Sequence, residues 1–492
     1  MDELVDWAKS QGAALHPSVE VYNDPNTGNS FRVSPDNAGV NPGDTVVTCP
    51  LALTLSYLNA TTTPNPGFHH DSSSSSQAFP PSFLESVPPH VISRFYLINQ
   101  YLLGPSSFWH PYIRTLPQPT NLAAWALPPL WPTDDVELLE DTNAHVAIAE
   151  IKTRLKAEHK HALAAFGDWP ARHDYTRLLY NWAYCIFTSR SFRPSLVIPA
   201  HRQHTLSLPD GCAIDDFSLL MPLFDVGNHS PTARIAWETS DDALAGDEAT
   251  VGLRTLDPYA PGAQVFNNYG TTKTNAELML AYGFTIPESE VLHNDYVHVQ
   301  KRGGGAKAAA EKGGDGGAGA ASEKHKPKDY LISLRPVSDP SSVAARSGQL
   351  LDDVDANIIL PPFRHVQDVM VWELVLAQTT PEQRSEMIPV PEEGGGGGGG
   401  GDDDGSKADL ERLRMILTGR VPAATQPLLF QTIGIIQHKV LQELERLDQS
   451  EFEMEEAEAT RNQIMAYRYR RQCRKVLENV LESMEMPDEA AS

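Results

Sequence analysis

The stretch from Leu223 to Ser230 reads Leu-Phe-Asp-Val-Gly-Asn-His-Ser, and it decides the fold of this chain. It is followed at 266–270 by Phe-Asn-Asn-Tyr-Gly and at 281–284 by Ala-Tyr-Gly-Phe. Polar residues set between apolar ones therefore recur within one short region. A local motif gains weight when others follow it in a fixed order. We interpret the region as an active site.

The order of these segments resembles the C-terminal half of a SET domain. Gly-Ala-Gln-Val-Phe at 262–266 and Asn-Ala-Glu-Leu at 275–278 also fit. The resemblance is strongest to the Rubisco large-subunit methyltransferase-like class, which transfers methyl groups from S-adenosylmethionine to protein side chains, usually lysine. It implies an α+β fold: a SET-domain β-fold with a pseudoknot, which is a rare knotted topology, and a helical insertion, followed by a mostly α-helical C-terminal domain.

The domain organisation follows from length and composition. A chain of 492 residues is too long for one ordinary core, so we expect two domains. We assign 1–295 to the SET domain, with its helical insertion at about 90–215, and 329–492 to a helical domain that resembles the class's substrate-binding domain. A Gly/Ala/Lys segment at 301–328 and a Gly/Asp segment at about 392–407 lack apolar bulk, so we expect both to be disordered.

Local sequence patterns predict individual helices, strands and loops. Apolar spacing predicts a short helix near 4–9, β-rich segments predict strands at 31–33, 45–49 and 330–334, and a serine run at 72–76 predicts an exposed loop. The segment 107–117, Ser-Phe-Trp-His-Pro-Tyr-Ile-Arg-Thr-Leu-Pro, resembles a phrase of the same class. There it packs the insertion against the SET core, so we expect a structural role.

Charge limits the partners. The formal net charge of −25 argues against nucleic-acid binding, which needs clustered cations. A basic protein substrate fits better, although acidity can also serve solubility alone.

Four scattered cysteines indicate neither a disulfide framework nor a metal site, and no apolar run is long enough to span a membrane. We expect a monomer in the cytoplasm, the nucleus or both.

Two tyrosines are the candidate catalytic residues. Tyr269 matches the SET tyrosine whose hydroxyl orients the target nitrogen and the transferring methyl group. Tyr282 matches an aromatic position that lines the amine channel. The alternatives are a buried structural tyrosine with a satisfied hydroxyl at 269 and simple packing at 282.

The Asn-His pair is the first part of the expected cofactor site. The resemblance implies that the Asn228 amide binds the methionine moiety, that the His229 backbone contacts adenine, and that Asp225 helps to fix the loop. Tyr269 also borders the cofactor. A capped loop and the sequon Asn228-His229-Ser230 are alternative readings, but the sequon would need a secretory signal, which we do not expect here.

The remaining cofactor contacts are expected from two further segments. Gly28, Ser30, Phe31 and Arg32 match a Gly-x-Gly turn in which small residues let the backbone approach the cofactor. Ser30 replaces the second glycine and adds a side chain there. Arg190, in Ser-Arg-Ser-Phe at 189–192, matches an arginine that contacts the cofactor carboxylate, for which its fork is suited; an arginine at a helix C-terminus is the alternative.

The resemblance predicts a protein-lysine methyltransferase that acts on a non-histone protein such as a ribosomal or translation component. Some members of the class methylate histidine, and the motifs at Asn228 and Tyr269 do not distinguish the two acceptors. An inactive SET-like interaction protein is a second alternative, motivated by Ser30 and by the low-complexity inserts.

Overall fold

The structure is a computed structural model that describes residues 1–25, 27–70, 79–240, 249–287, 295–299, 329–348, 356–390, 403–455 and 458–484. The predicted serine loop at 72–76 and the segment 301–328 lie outside these residues, as does most of 392–407. The helix that begins at Asp403 covers the end of the latter segment, where we expected disorder.

Helices dominate the described residues. They are α1 (Asp2–Ser10), α2 (Tyr57–Ala60), α3 (Pro81–Ser86), α4 (Pro89–Leu103), α5 (His110–Ile113), α6 (Leu122–Trp125), α7 (Thr133–Glu137), α8 (Asn143–Ala165), α9 (Arg177–Arg190), α10 (Pro194–Val197), α11 (Ala200–Gln203), α12 (Asn275–Tyr282), α13 (Val343–Arg346), α14 (Asp368–Gln378), α15 (Pro381–Met387), α16 (Asp403–Leu417), α17 (Gln426–Gln449) and α18 (Arg461–Met484).

The strands are short and pair antiparallel. They are β1 (Ala14–Leu15), β2 (Val19–Asp24), β3 (Gly28–Val33), β4 (Thr45–Pro50), β5 (Ser191–Phe192), β6 (Leu219–Leu220), β7 (Ile235–Ser240), β8 (Thr250–Thr255), β9 (Gln264–Val265), β10 (Tyr296–Val299) and β11 (Tyr330–Ser333). Their sheets have the orders β1-β4-β8-β7, β2-β3-β9, β5-β6 and β10-β11. The α+β class and the strands expected near 31–33, 45–49 and 330–334 are confirmed.

The chain divides into two compact units. The first comprises Met1–Pro132, Ala147–Lys273 and Glu277–Gly283; the second comprises Thr133–Val146, Thr274–Ala276 and Phe284–Ser492. The domain boundaries given above stay predictions. In the first unit the four-stranded and three-stranded sheets share one apolar core with the helices of the insertion.

Local sequence explains the helices of the insertion. Pro89 starts α4, where a missing N–H costs nothing, and Gly104 ends it with φ 53°. The Thr176 side chain caps α9 by accepting from the Leu179 amide at 3.3 Å. Trp109, from the 107–117 phrase, is fully buried and its indole N–H donates to the Leu53 carbonyl at 2.8 Å. This contact agrees with the expected structural role of the phrase.

A buried ion pair joins α4 to α8. Arg94 donates to Glu158 at 2.7 Å, and the Tyr180 hydroxyl from α9 donates to the same carboxylate oxygen at 2.8 Å. The two charged side chains are largely buried, with 11% and 13% of their surface exposed, so these hydrogen bonds offset the cost of burying the charges. The pair therefore fixes the insertion helices against each other.

The second unit packs helices around the β10-β11 ribbon. Long amphipathic helices α17 and α18 face each other through buried residues such as Ile436, Val440, Tyr469 and Val476. None of the helices in the described ranges is long and apolar enough to cross a membrane. The same ranges hold no group of three or more His, Cys, Asp or Glu side chains arranged to bind a metal ion.

Candidate active site

The Asp225–His229 loop begins from a strained, buried residue. Leu223 has φ 70°, a left-handed conformation that disfavours a branched side chain, and it is fully inaccessible. A single 3-10 turn, Phe224–Val226, follows it. Such conformations persist only where the surrounding packing imposes them, and they cluster at functional sites. The core thus forces the chain to turn just before Asn228.

Gly227 lies at the closest approach of this loop to its neighbours. A Cβ added there would come within 3.3 Å of both the Phe31 ring and the Asn267 Cβ. The carbonyl of Gly227 accepts a hydrogen bond from the Tyr269 hydroxyl at 3.0 Å. The predicted catalytic tyrosine is therefore tied to the residue that precedes Asn228, so the two motifs form one site.

Asn228 is anchored by a residue that the sequence did not indicate. Its Nδ2 donates to the Thr27 Oγ1 at 2.9 Å, across the tip of the β2-β3 hairpin. The Asp24 carboxylate accepts from the Thr27 amide at 2.9 Å and so holds this tip. Gly28, with φ 80°, permits the turn, and a Cβ on it would meet open space. The sequence signal available for this contact was the turn from Asp24 to Gly28, which holds Thr27 at its tip.

His229 is held beside Tyr269 by two contacts. Its Nδ1 accepts from the Tyr269 amide at 3.0 Å, and the two rings stack with centroids 4.9 Å apart. A parallel bridge between His229 and Asn267 brings the segments together. Burial, assisted by the charge of Lys273, lowers the pKa of His229 to about 4. The imidazole is therefore neutral at physiological pH.

The two candidate catalytic tyrosines lie side by side. Tyr282, in α12, stacks on Tyr269 with ring centroids 4.8 Å apart. Burial raises the pKa of both hydroxyls, and Arg190 opposes the rise at Tyr269. Both therefore remain neutral phenols near neutral pH. They can donate and accept hydrogen bonds, but they do not act as strong bases.

Arg190 meets a buried acid at the end of α9. Its Nη1 lies 3.4 Å from the Asp225 carboxylate, whose Oδ2 also accepts from the Tyr112 hydroxyl at 2.8 Å. Burial raises the pKa of Asp225, and Arg190 opposes the rise. The Arg190 side chain stays 30% exposed, whereas that of Asp225 is 1% exposed. The guanidinium is thus fixed on Asp225, while part of the Arg190 side chain remains accessible.

The other three residues expected from the N-terminal turn contact different partners. The Ser30 hydroxyl is buried and accepts from the Gln264 side chain at 2.7 Å, and Arg32 forms an ion pair with Glu20 at 2.6 Å. Phe31 is fully buried beneath Gly227. Of this segment, Gly28 alone adjoins the Asn228 anchor, whereas the Ser30 and Arg32 side chains are committed to the sheet.

The Asn-Asn dipeptide before Tyr269 holds the backbone around the site. Asn267 Oδ1 accepts from the Trp237 indole at 3.1 Å and from the Asn268 amide at 2.8 Å. Asn268 donates to the Ala233 carbonyl at 3.0 Å and accepts from the Gly270 amide at 2.9 Å. The sequence analysis predicted no role for either residue. Two adjacent amide side chains directly before a predicted catalytic tyrosine were the available signal.

No family model matches the chain. Among solved structures, a SET domain of LSMT bound to lysine and AdoHcy superposes with a TM-score of 0.61 at 14% identity, covering 98% of this chain and 90% of that one. The chain has the fold of this LSMT SET domain. The resemblance to a SET domain is thereby confirmed at the level of fold.

Curated relatives of this SET-fold chain are methyltransferases. Ribosomal lysine N-methyltransferase set10 of Schizosaccharomyces pombe is 29% identical over 312 residues, which is 61% of this chain and 50% of the relative. Protein-lysine N-methyltransferase EFM1 of Saccharomyces cerevisiae is 23% identical over 329 residues, 58% and 49% of the two chains. Human actin-histidine N-methyltransferase is 26% identical over 192 residues, which is 37% of this chain and 27% of the relative. The chain spans about half the length of the first two.

Proposed function

We propose that the chain is an S-adenosylmethionine-dependent protein-lysine N-methyltransferase that acts on a non-histone protein. One observation carries the proposal: the hydroxyl of Tyr269 donates to the Gly227 carbonyl at 3.0 Å, next to Asn228. This contact joins the expected donor site to the expected acceptor site. The methyltransferase relatives support the same reading.

The residues around Asn228 fit the methionine end of S-adenosylmethionine. The partly exposed Arg190 side chain suits a carboxylate, since a guanidinium offers several donors in a planar fork. Asn228, held by Thr27, presents an amide that can both donate and accept. Open space beside Gly28 leaves room for a ligand at the hairpin tip. The remaining contacts predicted for Ser30, Phe31 and Arg32 would come from their backbone, because their side chains have other partners.

The bound cofactor would supply a methyl group on a sulfonium. Tyr269 and Tyr282 would hold the acceptor nitrogen in line with that methyl carbon, and such positioning supplies much of the rate enhancement in displacement reactions. The neutral amine lone pair would form the N–C bond as the C–S bond breaks, with sulfur keeping the electron pair. The positive charge would pass from sulfur to the methylated nitrogen. Tyr269 needs no charge for this role, in keeping with its raised pKa.

The substrate we propose is a basic ribosomal or translation protein. A net charge of −25 favours encounter with a lysine-rich partner, because opposite charges raise association rates. The first relative carries a ribosomal name. We propose that the enzyme acts on this substrate in the cytoplasm or nucleus, and that it does so as a monomer.

Methylation of histidine is the second candidate. It is favoured by the similarity to actin-histidine N-methyltransferase over 192 residues. A neutral histidine nitrogen needs tautomer control rather than loss of a proton at physiological pH. The identity of the methylated residue decides between the two.

The test uses labelled S-adenosylmethionine and hypomethylated ribosomal proteins from fission-yeast cells that lack the set10 relative. We expect label on a lysine, located by mass spectrometry, and none with Tyr269→Phe. Calorimetry with unlabelled cofactor should show binding by both proteins. Label on histidine would favour the second candidate. Absence of cofactor binding by folded protein would refute the enzyme and favour an inactive interaction protein.

A further inference from the structure

Lys273 lies over the face of Tyr282. Tyr282, Tyr269 and His229 form a stack of three rings, here called the aromatic column. The Lys273 side chain runs along Gly270, with Cγ 3.2 Å and Cε 3.4 Å from the point where a Cβ on Gly270 would sit. The φ of Gly270 is 145°. The Nζ is 5.6 Å from the centroid of the Tyr282 ring, a distance at which a cation is attracted to an aromatic face. The ammonium is therefore held at the site.

Three rings continue from this ammonium into the site. Tyr282 stacks on Tyr269 at 4.8 Å, and Tyr269 stacks on His229 at 4.9 Å. Burial lowers the pKa of His229, the far ring, and the charge of Lys273 lowers it further. Lys273 therefore acts at the two ends of the column, by its contact with the Tyr282 face and by its effect on His229.

Among the described residues, the other charges that act on the two tyrosine hydroxyls come in pairs of opposite sign. Arg190 and Asp225 act on the Tyr269 hydroxyl with opposite signs. Glu277 and Arg193 do the same at Tyr282. The formal charges of these four groups sum to zero, with His229 neutral and both tyrosines protonated. Lys273 adds one positive charge to this set of described residues.

The proposed reaction lacks a strong base among these groups. His229 uses its Nδ1 to accept from the Tyr269 amide, and the tyrosines stay protonated. A lysine substrate arrives as an ammonium with a pKa of about 10.4 and must lose a proton before it can attack. A fixed positive charge nearby disfavours the ammonium and lowers its pKa, as in enzymes that activate a lysine with a neighbouring cation.

We infer that Lys273 supplies the fixed positive charge that drives the incoming lysine ammonium to release its proton to solvent before methyl transfer. The inference rests on the proposed function. The proton leaves to bulk water, and the lone pair that remains on nitrogen is the pair that bonds to the methyl carbon. Lys273 touches neither reacting atom. Its charge shifts the protonation equilibrium of the acceptor lysine toward the neutral amine.

The test compares the pH dependence of kcat in wild type, Lys273→Met and Lys273→Arg, with the hypomethylated ribosomal proteins as substrate. The acid limb of kcat reports the ionisation of the bound complex. Methionine keeps the packing on Gly270 and removes the charge. We expect its acid limb to move up by about 1 pH unit, so that turnover below it falls about tenfold while the alkaline plateau is unchanged. Arginine should restore the wild-type limb.

A purely structural role would lower kcat equally at every pH, and an unmoved limb in Lys273→Met would overturn the inference while leaving the proposed function intact. A wild type without turnover would instead refute the proposed function, and the inference with it.

A second measurement is independent of turnover. NMR titration should give a higher pKa for His229 in Lys273→Met than in wild type and in Lys273→Arg. An unchanged His229 pKa in Lys273→Met would show that the charge does not reach the column, and it would overturn the inference whatever the kinetics. Circular dichroism of the three proteins confirms that each is folded.

Discussion

The ring of His229 lies 4.9 Å from the ring of Tyr269 and accepts the Tyr269 backbone amide through Nδ1. A protonated imidazole has no acceptor at that atom, so acid removes the hydrogen bond. The pKa of His229 in the folded protein is lowered to about 4 from 6.5. Between these values the unfolded chain binds the proton that the folded protein rejects. Stability is therefore retained above 6.5 and lost as pH falls toward 4.

His229→Gln should accordingly be less sensitive to acid than the wild type. Between about pH 7.5 and about pH 5 the wild type should lose roughly 1 to 2 kcal/mol more unfolding free energy than the variant. Urea unfolding at the two pH values measures the difference. Equal losses in the two proteins would contradict the lowered pKa.

Asn228→Ala should weaken S-adenosylmethionine binding by about 10- to 100-fold, because a hydrogen bond to a charged ligand group is lost. Thr27→Val should weaken it by about 2- to 10-fold, since Asn228 then loses its anchor. Isothermal calorimetry checks both. Asn29→Ala, on the same hairpin, removes an exposed contact with Asn23 and serves as the control. Equal effects of Thr27→Val and Asn29→Ala would argue against the anchor.

Tyr269→Phe should bind cofactor normally and turn over about 100-fold more slowly, because the hydroxyl that orients the acceptor is absent. The hydrogen bond to the Gly227 carbonyl is also lost. Labelled methyl transfer and calorimetry on the same sample separate turnover from binding. Unchanged turnover would exclude the proposed role of the hydroxyl.

Glu158→Gln should destabilise the first unit by about 3 to 5 kcal/mol, because it leaves Arg94 charged and buried without its carboxylate. Burial opposes ionisation of Glu158, but its hydrogen bonds and Arg94 together lower its pKa to about 2. The carboxylate therefore stabilises the fold above pH 4.5 and ceases to do so between 4.5 and 2. Glu3→Gln, which breaks the exposed pair with Arg114, should cost under about 1 kcal/mol. Chemical denaturation compares the two variants.

Gly227→Ala should destabilise the protein by about 1 to 3 kcal/mol and impair cofactor binding, since its methyl group meets Phe31 and Asn267 at 3.3 Å. Gly434→Ala is the control within α17, where the added methyl group meets nothing within 4 Å. It should be neutral or stabilise by up to about 1 kcal/mol, because alanine favours helix. Thermal unfolding of both variants measures the contrast. A stable Gly227→Ala would mean that the loop moves aside.

The sequence indicated the site through residues whose types are informative on their own. Asn228, His229 and Tyr269 stand in a fixed order within one region, and the structure brings them together. Arg190 and Asp225 were expected there as separate contacts, and they prove to be paired with each other.

Contacts between distant segments were beyond prediction from sequence. Thr27 is separated from Asn228 by 201 positions, and Tyr112 from Asp225 by 113. An isolated threonine or tyrosine carries no periodic or spacing signal of such a partner. Ser30 was expected near the cofactor, yet its side chain turns to Gln264, because strand alternation and not the glycine pattern sets its direction. Lys273 drew no attention because a lone lysine is ordinary on a surface.

The parallel bridge between His229 and Asn267 constrains how this region can change by insertion and deletion. The backbone of Asn228 accepts from the Asn267 amide at 2.7 Å, and the Ser230 amide donates to the Asn267 carbonyl at 2.9 Å. One residue added between Gly227 and Asn228 would shift the ladder by one step and exchange the directions of the Asn and His side chains. Evolution of this region should therefore preserve the length between Gly227 and Ser230, because an insertion or deletion there breaks the bridge to Asn267.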